Sequence, residues 1–235
     1  MSSNCNIFCK IFVISKKVYR FATVKKLNSM KATMKTLAAM LICCFISASQ
    51  LYAENIQRPE SENYIKGVEA LNEGDPETAY TYLNAEINEH PDNGYAHCYM
   101  ALICNFCHDT KLALQALNSS LELIPETDKE YRSFAHYSRG VLLTNLKMWN
   151  RAEEDLTEAI RLNPEDVENY KSRAQLYLET ERYEESLNDL THALKLDSKA
   201  DVNDLVLHLM AVAPSNELME RITATYQQLE QVTIH

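Results

Sequence analysis

The sequence predicts an all-α protein, a solenoid of four helix-turn-helix repeats followed by C-terminal capping helices. A pattern recurs every 34 residues in the adjoining blocks 133–166 and 167–200, and in weaker form in blocks 60–93 and 94–127. Each block has a small residue in its first half and an alanine or serine, then a leucine, in its second half. A period of this length is typical of stacked helix pairs.

The first helix of each repeat is identified by its small residue, which lets two helices approach closely. This position holds Gly67, Ala101, Gly140 and Ala174. The second helix has Ala79, Ala113, Ala152 and Ser186, and one turn later Leu83, Leu117, Leu156 and Leu190. The four-residue spacing keeps each leucine on the buried face. Pro91, Pro125 and Pro164 are expected to end the second helices, because proline cannot continue the helical hydrogen bonds.

Two segments depart from the period. Residues 128–132 lie between the second and third repeats and predict an added turn at the start of the third repeat's first helix. Residues 201–235 predict a short helix over 202–212 and, after Pro214, an amphipathic helix over 216–232. These helices either cap the last repeat or open a further one. In the second case, the chain would be the N-terminal accessory part of a longer enzyme.

The recurring residues over 60–200 resemble the tetratricopeptide repeat. That pattern places a small residue and then an aromatic on the first helix, and an alanine, a bulky residue, an alanine and a proline on the second. Glu86 stands where the late alanine is expected, and Cys104 where the aromatic is expected. The resemblance implies a right-handed solenoid with a concave surface lined by first helices. It implies a protein or peptide ligand and no small-molecule substrate.

The concave surface, read by helical spacing, gives the candidate binding residues. They are Tyr64, Val68, Asn72, Tyr95, Cys98, Leu102, Phe106, Phe134, Tyr137, Val141 and Asn145. Aromatic rings supply contact area and asparagine can bond a partner's backbone, which suggests a peptide or a partner helix. Chaperone-binding members of the family use lysine, asparagine and arginine to clamp a carboxylate. The matching positions here hold Tyr64, Val68, Tyr99, Phe134 and Ser138, so no such clamp is expected.

The N-terminal region predicts export. Residues 1–53 contain eight basic residues and no acidic one. Residues 34–53 have a charged start, an apolar run and a small residue before a polar chain, as a signal peptide does, with cleavage after Ala53 or after Ser49. The domain following it is predicted to occupy 54–200, in the periplasm or secreted. A lipid anchor on Cys43 or Cys44 is the competing interpretation.

Residues 1–33 fit no part of a signal peptide. Either translation starts at Met30 or Met34, or the chain has a long basic leader. Without residues 1–53, 15 basic and 33 acidic residues remain, a formal charge of −18. Such a charge repels phosphate backbones and argues against nucleic-acid binding. The acidic runs 153–155 and 184–185 are expected to form a solvated outer face.

One short motif could bear chemistry. Cys104-x-x-Cys107-His108 matches the attachment signature of c-type haem, and it could also serve thiol redox chemistry or a disulfide. The repeat places Cys104 inside the helix pair and His108 in the turn, so we expect small apolar packing residues instead. The seven histidines show no metal-ligand spacing, and His97 and His136 are expected to pack. No enzyme, cofactor or metal is therefore predicted.

Overall fold

The structure is a computed structural model that describes residues 56–232. Those residues form ten α-helices and no strand. The helices are α1 (Glu62–Glu73), α2 (Pro76–Glu89), α3 (Gly94–Phe106), α4 (Thr110–Leu123), α5 (Lys129–Asn145), α6 (Trp149–Leu162), α7 (Val167–Glu179), α8 (Tyr183–Leu196), α9 (Asn203–Val212) and α10 (Asn216–Val232). The predicted all-α helical repeat fold is confirmed. The signal peptide, both lipid-anchor cysteines and the upstream segment lie outside the described residues.

The helices begin at polar capping residues. Ser61, Asp75, Asn93, Asp128 and Asp166 each accept a hydrogen bond from a backbone N–H of the first turn of the helix that follows. These bonds satisfy donors that have no partner within the helix. The second helices α2, α4 and α6 end two residues before Pro91, Pro125 and Pro164, as predicted.

The added turn predicted for the third repeat is confirmed. Helix α5 has 17 residues, whereas α1 has 12 and α3 and α7 have 13 each. It begins directly after Asp128, whose carboxylate accepts from Tyr131 N–H. The guanidinium of Arg132 donates to the carbonyl oxygens of Leu121 and Ile124 at 2.9 and 3.0 Å. The five additional residues therefore extend the helix and fix its start against the end of α4.

The turn inside each repeat uses one residue in the left-handed region. The four residues are 34 or 39 positions apart: Gly74 at φ 77°, His108 at φ 61°, Lys147 at φ 59° and Glu181 at φ 58°. Only the first is a glycine, so the other three adopt a conformation that side chains disfavour. The recurrence shows that the turn has the same shape in every repeat although its residue type is not repeated.

The described residues fall into two compact units divided after Ala113, inside α4. In the first unit, α1 packs on α2 and α2 on α3. Gly67 makes the first approach possible, since a Cβ there would lie 2.6 Å from the Cγ of Leu83, which is fully buried. The rings of Tyr64 and Tyr99 pack at a centroid distance of 6.0 Å.

The second unit repeats this packing and adds the C-terminal helices. Helices α5 to α8 pack in sequence, and a Cβ on Gly140 would lie 2.7 Å from the Cγ of Leu156. Helices α9 and α10 contact α8 and each other. Their buried side chains Val206, Leu209, Leu218 and Ile222 form one hydrophobic cluster with Leu187, Leu190 and Leu194 of α8. These two helices thus cover the apolar face of the last repeat.

Candidate interaction surface

In the first unit, the structure divides the predicted binding residues into accessible and buried ones. Asn72 and Phe106 are exposed, and Val68 and Leu102 are partly buried. Tyr64, Tyr95 and Cys98 are buried. The prediction that these three side chains are accessible to a partner is wrong, because the first helices are also buried against their neighbours.

In the second unit, the predicted residues lie along α5 at intermediate or full exposure. Phe134, Tyr137 and Val141 are partly buried and Asn145 is exposed. The rings of Phe134 and Tyr137 stack with centroids 6.5 Å apart and planes 23° from parallel. Burial raises the pKa of Tyr137 to about 12, against a hydrogen bond with Ser172 that lowers it. The phenol therefore stays neutral and acts as a hydrogen-bonding group at physiological pH.

Helix α7, the next first helix, contacts the helix of this aromatic pair and has polar side chains. Lys171 pairs with Glu168 at 2.7 Å, and Gln175 donates to Glu179 at 2.8 Å. One recurring position, the C-terminal end of the first helices, is exposed in every repeat: Asn72, Phe106, Asn145 and Glu179. Its two asparagines can each donate to and accept from a peptide backbone. The surface thus combines apolar contact with neutral hydrogen-bonding groups.

The cysteine motif lies at the end of α3, where it was predicted. Cys104 is 4% exposed, Cys107 is the exposed C-cap of α3, and His108 forms the turn. Burial raises the pKa of the Cys104 thiol to about 12, helped by Asp109 and Cys107. Desolvation and Asp109 also raise the pKa of Cys107. Both thiols are protonated near neutral pH and are weak nucleophiles. Haem attachment would require Cys104 to leave its packed position.

A repeated buried ion pair was missed in the sequence. Arg139 Nε donates to Asp155 Oδ2 at 2.7 Å, and 34 residues later Arg173 Nε donates to Asp189 Oδ2 at 2.8 Å. Each guanidinium makes a second bond to the same carboxylate. Asp155 is 5% exposed, so the expectation that 153–155 is a solvated run is wrong at this residue. The sequence contains a signal for this pair, because the arginine and the aspartate both recur after 34 residues.

Each of these arginines also reaches the preceding second helix. Arg139 donates to Asn118 Oδ1 at 2.8 Å and Arg173 to Thr157 Oγ1 at 3.1 Å. The pattern therefore ties both helices of one repeat to the repeat before it. His136 adds a bond from Nδ1 to Asp155 Oδ1 at 2.9 Å. The histidine thus packs, as predicted, but within a polar network.

Glu86 is another buried carboxylate, 1% exposed, at the position where an alanine was expected. It accepts from Ser61 Oγ at 2.5 Å and from Asn93 Nδ2 at 2.7 Å. Ser61 and Asn93 are the N-caps of α1 and α3. The carboxylate is held at the positive ends of two helix dipoles, which explains how a charge is tolerated there.

The remaining features offer no further chemistry within residues 56–232. No group of three or more histidine, cysteine or acidic side chains in that range could hold a metal ion. His97 bonds the carbonyl oxygen of Pro91 at 2.9 Å, and His192 stacks on Tyr170. No helix in the described part of the chain is long and apolar enough to cross a membrane.

Comparison with curated proteins gives three partial matches, two of which are described here. The chain is 32% identical over 87 residues to the lipoprotein NlpI homolog of Haemophilus influenzae, covering 37% of this chain and 28% of that protein. It is 33% identical over 79 residues to human DnaJ homolog subfamily C member 7, covering 34% of this chain and 16% of that protein. The match thus spans less than a third of either relative's length.

Many solved structures are similar to this chain, and two of them illustrate the shared fold. MamA from Desulfovibrio magneticus aligns with a TM-score of 0.58 at 18% identity, covering 73% of this chain and 93% of that one. A tetratricopeptide repeat protein from Parabacteroides merdae aligns with a TM-score of 0.52 at 21% identity, covering 73% and 62%. Residues 168–199 match the family model of the tetratricopeptide repeat. Residues 168–199 thus match this family, and the helix pairs with their 34-residue register have the same fold as these two structures.

Proposed function

We propose that this protein is a non-enzymatic adaptor, exported to the cell envelope, that binds a peptide or partner helix along its first helices. The observation that carries the proposal is the accessible surface that each unit presents on its own first helices, α1 and α3 in one unit and α5 in the other. In the first unit it consists of Val68, Asn72, Leu102 and Phe106, and in the second of Phe134, Tyr137, Val141 and Asn145. Extended or helical ligands use such surfaces for apolar contact and backbone hydrogen bonding.

The ligand is expected to be largely uncharged where it meets this surface. The charged side chains on neighbouring α7 already pair with each other, as in Lys171 with Glu168. The predicted binding positions that are accessible on α1, α3 and α5 hold amide, aliphatic and aromatic side chains instead. An apolar face with polar groups at intervals of three or four residues, as on an amphipathic helix, fits this chemistry.

Export is supported by the charge and hydropathy of residues 34–53. It is also supported by the partial similarity to a protein named as a lipoprotein. We expect the mature chain in the periplasm or secreted, beginning at Glu54. Edman sequencing of the protein from the envelope fraction checks this; an N-terminus within residues 1–33 in that fraction would contradict it.

Site-specific photo-crosslinking tests the binding surface. A photoreactive amino acid replaces Asn72, Phe106 or Asn145 one at a time in the full chain, in the native cell. Matched controls replace Asn84 and Asn188, which are exposed on second helices. We expect a discrete protein adduct from the first-helix positions and none from the controls.

Equal adducts from both sets would contradict the assignment of the binding surface to the first helices. The double substitution Phe106→Ala with Tyr137→Ala is then introduced into the chains that carry the photoreactive residue at position 72 or 145. It should reduce adduct formation at Asn72 and Asn145 if the ligand contacts the aromatic rings. An unchanged yield would show that the rings only pack within the repeats.

A further inference from the structure

We infer that Cys104 and Cys107 form a reversible disulfide that reshapes the end of α3 and moves Phe106. Movement of Phe106 is expected to weaken partner binding, and this part of the inference rests on the proposed function. The two thiols lie three residues apart on one helix, with Cys104 buried beneath the exposed Cys107. Both are free thiols. Both also act on Tyr80 of α2, raising its pKa after the larger effect of burial, so they lie together against that helix.

A disulfide between Cys104 and Cys107 would distort the C-terminal end of α3, where both residues lie. Side chains three apart on a regular helix have Cβ atoms about 5–6 Å apart, and a disulfide requires about 3.5–4.5 Å. The backbone must therefore move, and here the helix ends. Cys107 is the C-cap, and His108 at φ 61° already leaves the helix. Closure needs only the final turn to change.

That final turn is held by a few backbone hydrogen bonds. Cys107 N–H donates to Ile103 O at 2.9 Å, His108 N–H to Asn105 O at 3.0 Å, and Asp109 N–H to Cys104 O at 2.9 Å. Asn105 and Phe106 lie between the two cysteines and inside the ring that a disulfide would close. Phe106 is 39% exposed, so moving its ring is expected to disturb fewer packing contacts than moving a buried ring would.

The chemistry requires an oxidant, which we take to be a small-molecule disulfide such as glutathione disulfide. The exposed Cys107, as thiolate, attacks one glutathione sulfur, forms a mixed disulfide and releases one glutathione. Deprotonated Cys104 then attacks the Cys107 sulfur, forms the Cys104–Cys107 bond and releases the second glutathione. The two protons and two electrons lost by the cysteines appear in two glutathione thiols. The raised thiol pKa values make this reaction slow near neutral pH and faster in mild alkali.

The test uses the full chain carrying Cys98→Ala, in glutathione buffers poised from reducing to oxidising at about pH 8. Trypsin cleavage after Lys66 and Lys111 gives one peptide, residues 67–111, that contains both remaining target cysteines and none of the other four. In oxidising buffer this peptide should lose about 2 Da, and dithiothreitol should reverse the loss. Amides of residues 104–109 should exchange hydrogen at least about threefold faster in the oxidised protein.

The variant Cys107→Ser in the same background is the matched control and should show neither change. An unchanged peptide mass after prolonged oxidation overturns the inference, as does a mass loss with no change in exchange at 104–109. Neither measurement needs a partner. A photoreactive residue at position 106 should give less adduct in the oxidised state. If it gives no adduct in either state, the proposed function fails while the disulfide is judged by mass and exchange alone.

Discussion

At the residue scale, the buried carboxylates distinguish this chain from a simple repeat. Burial alone would raise the pKa of Asp155, but hydrogen bonds from Arg139 and His136 hold it below its ordinary value. A carboxyl group whose pKa is lowered on folding stabilises the fold above its unfolded pKa, about 4. That stabilisation is lost as pH falls through the lower folded pKa.

Asp155→Asn should therefore destabilise the protein and reduce its acid sensitivity. At pH 7 we expect a loss of about 2 kcal/mol, less than the roughly 3–5 kcal/mol of a fully buried pair, because Arg139 retains some access to water. The difference in stability should shrink as pH falls below about 4 and disappear only below the folded pKa of Asp155. Urea unfolding at several pH values measures this. The matched control Glu154→Gln, exposed on the same helix, should change stability by less than about 0.5 kcal/mol.

For the substitution Glu86→Ala, the repeat pattern and the structure predict opposite effects on stability. The repeat pattern expects alanine at this position, so Glu86→Ala should be stabilising if the pattern alone decides. The structure instead predicts a loss of about 2 kcal/mol, because the side chains of Ser61 and Asn93 lose their acceptor. Glu86→Gln, which keeps one acceptor oxygen, should cost about half as much. Thermal and urea unfolding of both variants decide between the two expectations.

These residues also mark where sequence reasoning succeeded and failed. Small and leucine positions such as Gly140 and Leu156 were predictable because each must face another helix at every repeat. Burial of Asp155 was not predicted, since a charge beside two other acidic residues is usually solvated and only its partner makes burial tolerable. Helical spacing predicts that Tyr95 and Cys98 are accessible, whereas both are buried in the structure. Helical spacing gives the face of a residue but not how closely the next helix covers it.

At the element scale, the close approach of paired helices depends on the residue opposite the leucine. In α5, a Cβ on Gly140 would meet Leu156, whose side chain is fully buried and has no space to move into. The same position holds alanine in α7. The residue that faces the leucine therefore differs between these two helix pairs, although their sequences share a period. A period predicts which residues meet, but it does not give the distance between them.

Gly140→Ala tests this contact by the sign of its effect. In the wild type it should destabilise by about 1 kcal/mol, since overpacking of about 2 kcal/mol exceeds the gain of about 1 kcal/mol in helix propensity. In a Leu156→Ala background the clash with Leu156 is absent and a 3.3 Å approach to the carbonyl oxygen of Ala152 remains. The same substitution should then stabilise by less than about 1 kcal/mol. Urea unfolding of the four proteins gives the coupling energy.

Gly74→Ala serves as the control for that cycle. No atom lies within 4 Å of a Cβ placed there, and φ is 77°, so its cost is backbone strain of about 1 kcal/mol. This cost should be the same with leucine or alanine at position 156. Equal behaviour of Gly140→Ala in both backgrounds would show that the helices adjust their separation without penalty.

At the scale of the whole molecule, stability depends on covering the last repeat. Helices α9 and α10 bury Leu209 and Ile222 against α8. Repeat proteins transmit stability only between neighbours, so an uncovered end should lower the stability of the units next to it. The two leucines of α9 allow a direct comparison, because Leu209 is fully buried and Leu207 is 63% exposed.

Leu209→Ala should cost about 3 kcal/mol through lost burial and the cavity that remains. Leu207→Ala, with the same chemistry two residues away, should change stability by less than about 0.5 kcal/mol. Thermal unfolding followed by circular dichroism measures both. A similar small effect at the two positions would show that α9 is not part of the cooperative fold.

The carboxylate of Glu86 has a consequence for how such a chain can change by gain or loss of whole repeats. Because it joins the capping residue of its own repeat, Ser61, to that of the following repeat, Asn93, the first repeat requires a successor that starts with a suitable donor. A duplication or deletion that placed another repeat after residue 93 would keep this junction, whereas one that replaced residue 93 would leave a buried charge half satisfied. Ser61, Glu86 and Asn93 are therefore expected to be inherited and exchanged together, as one unit that ends at residue 93.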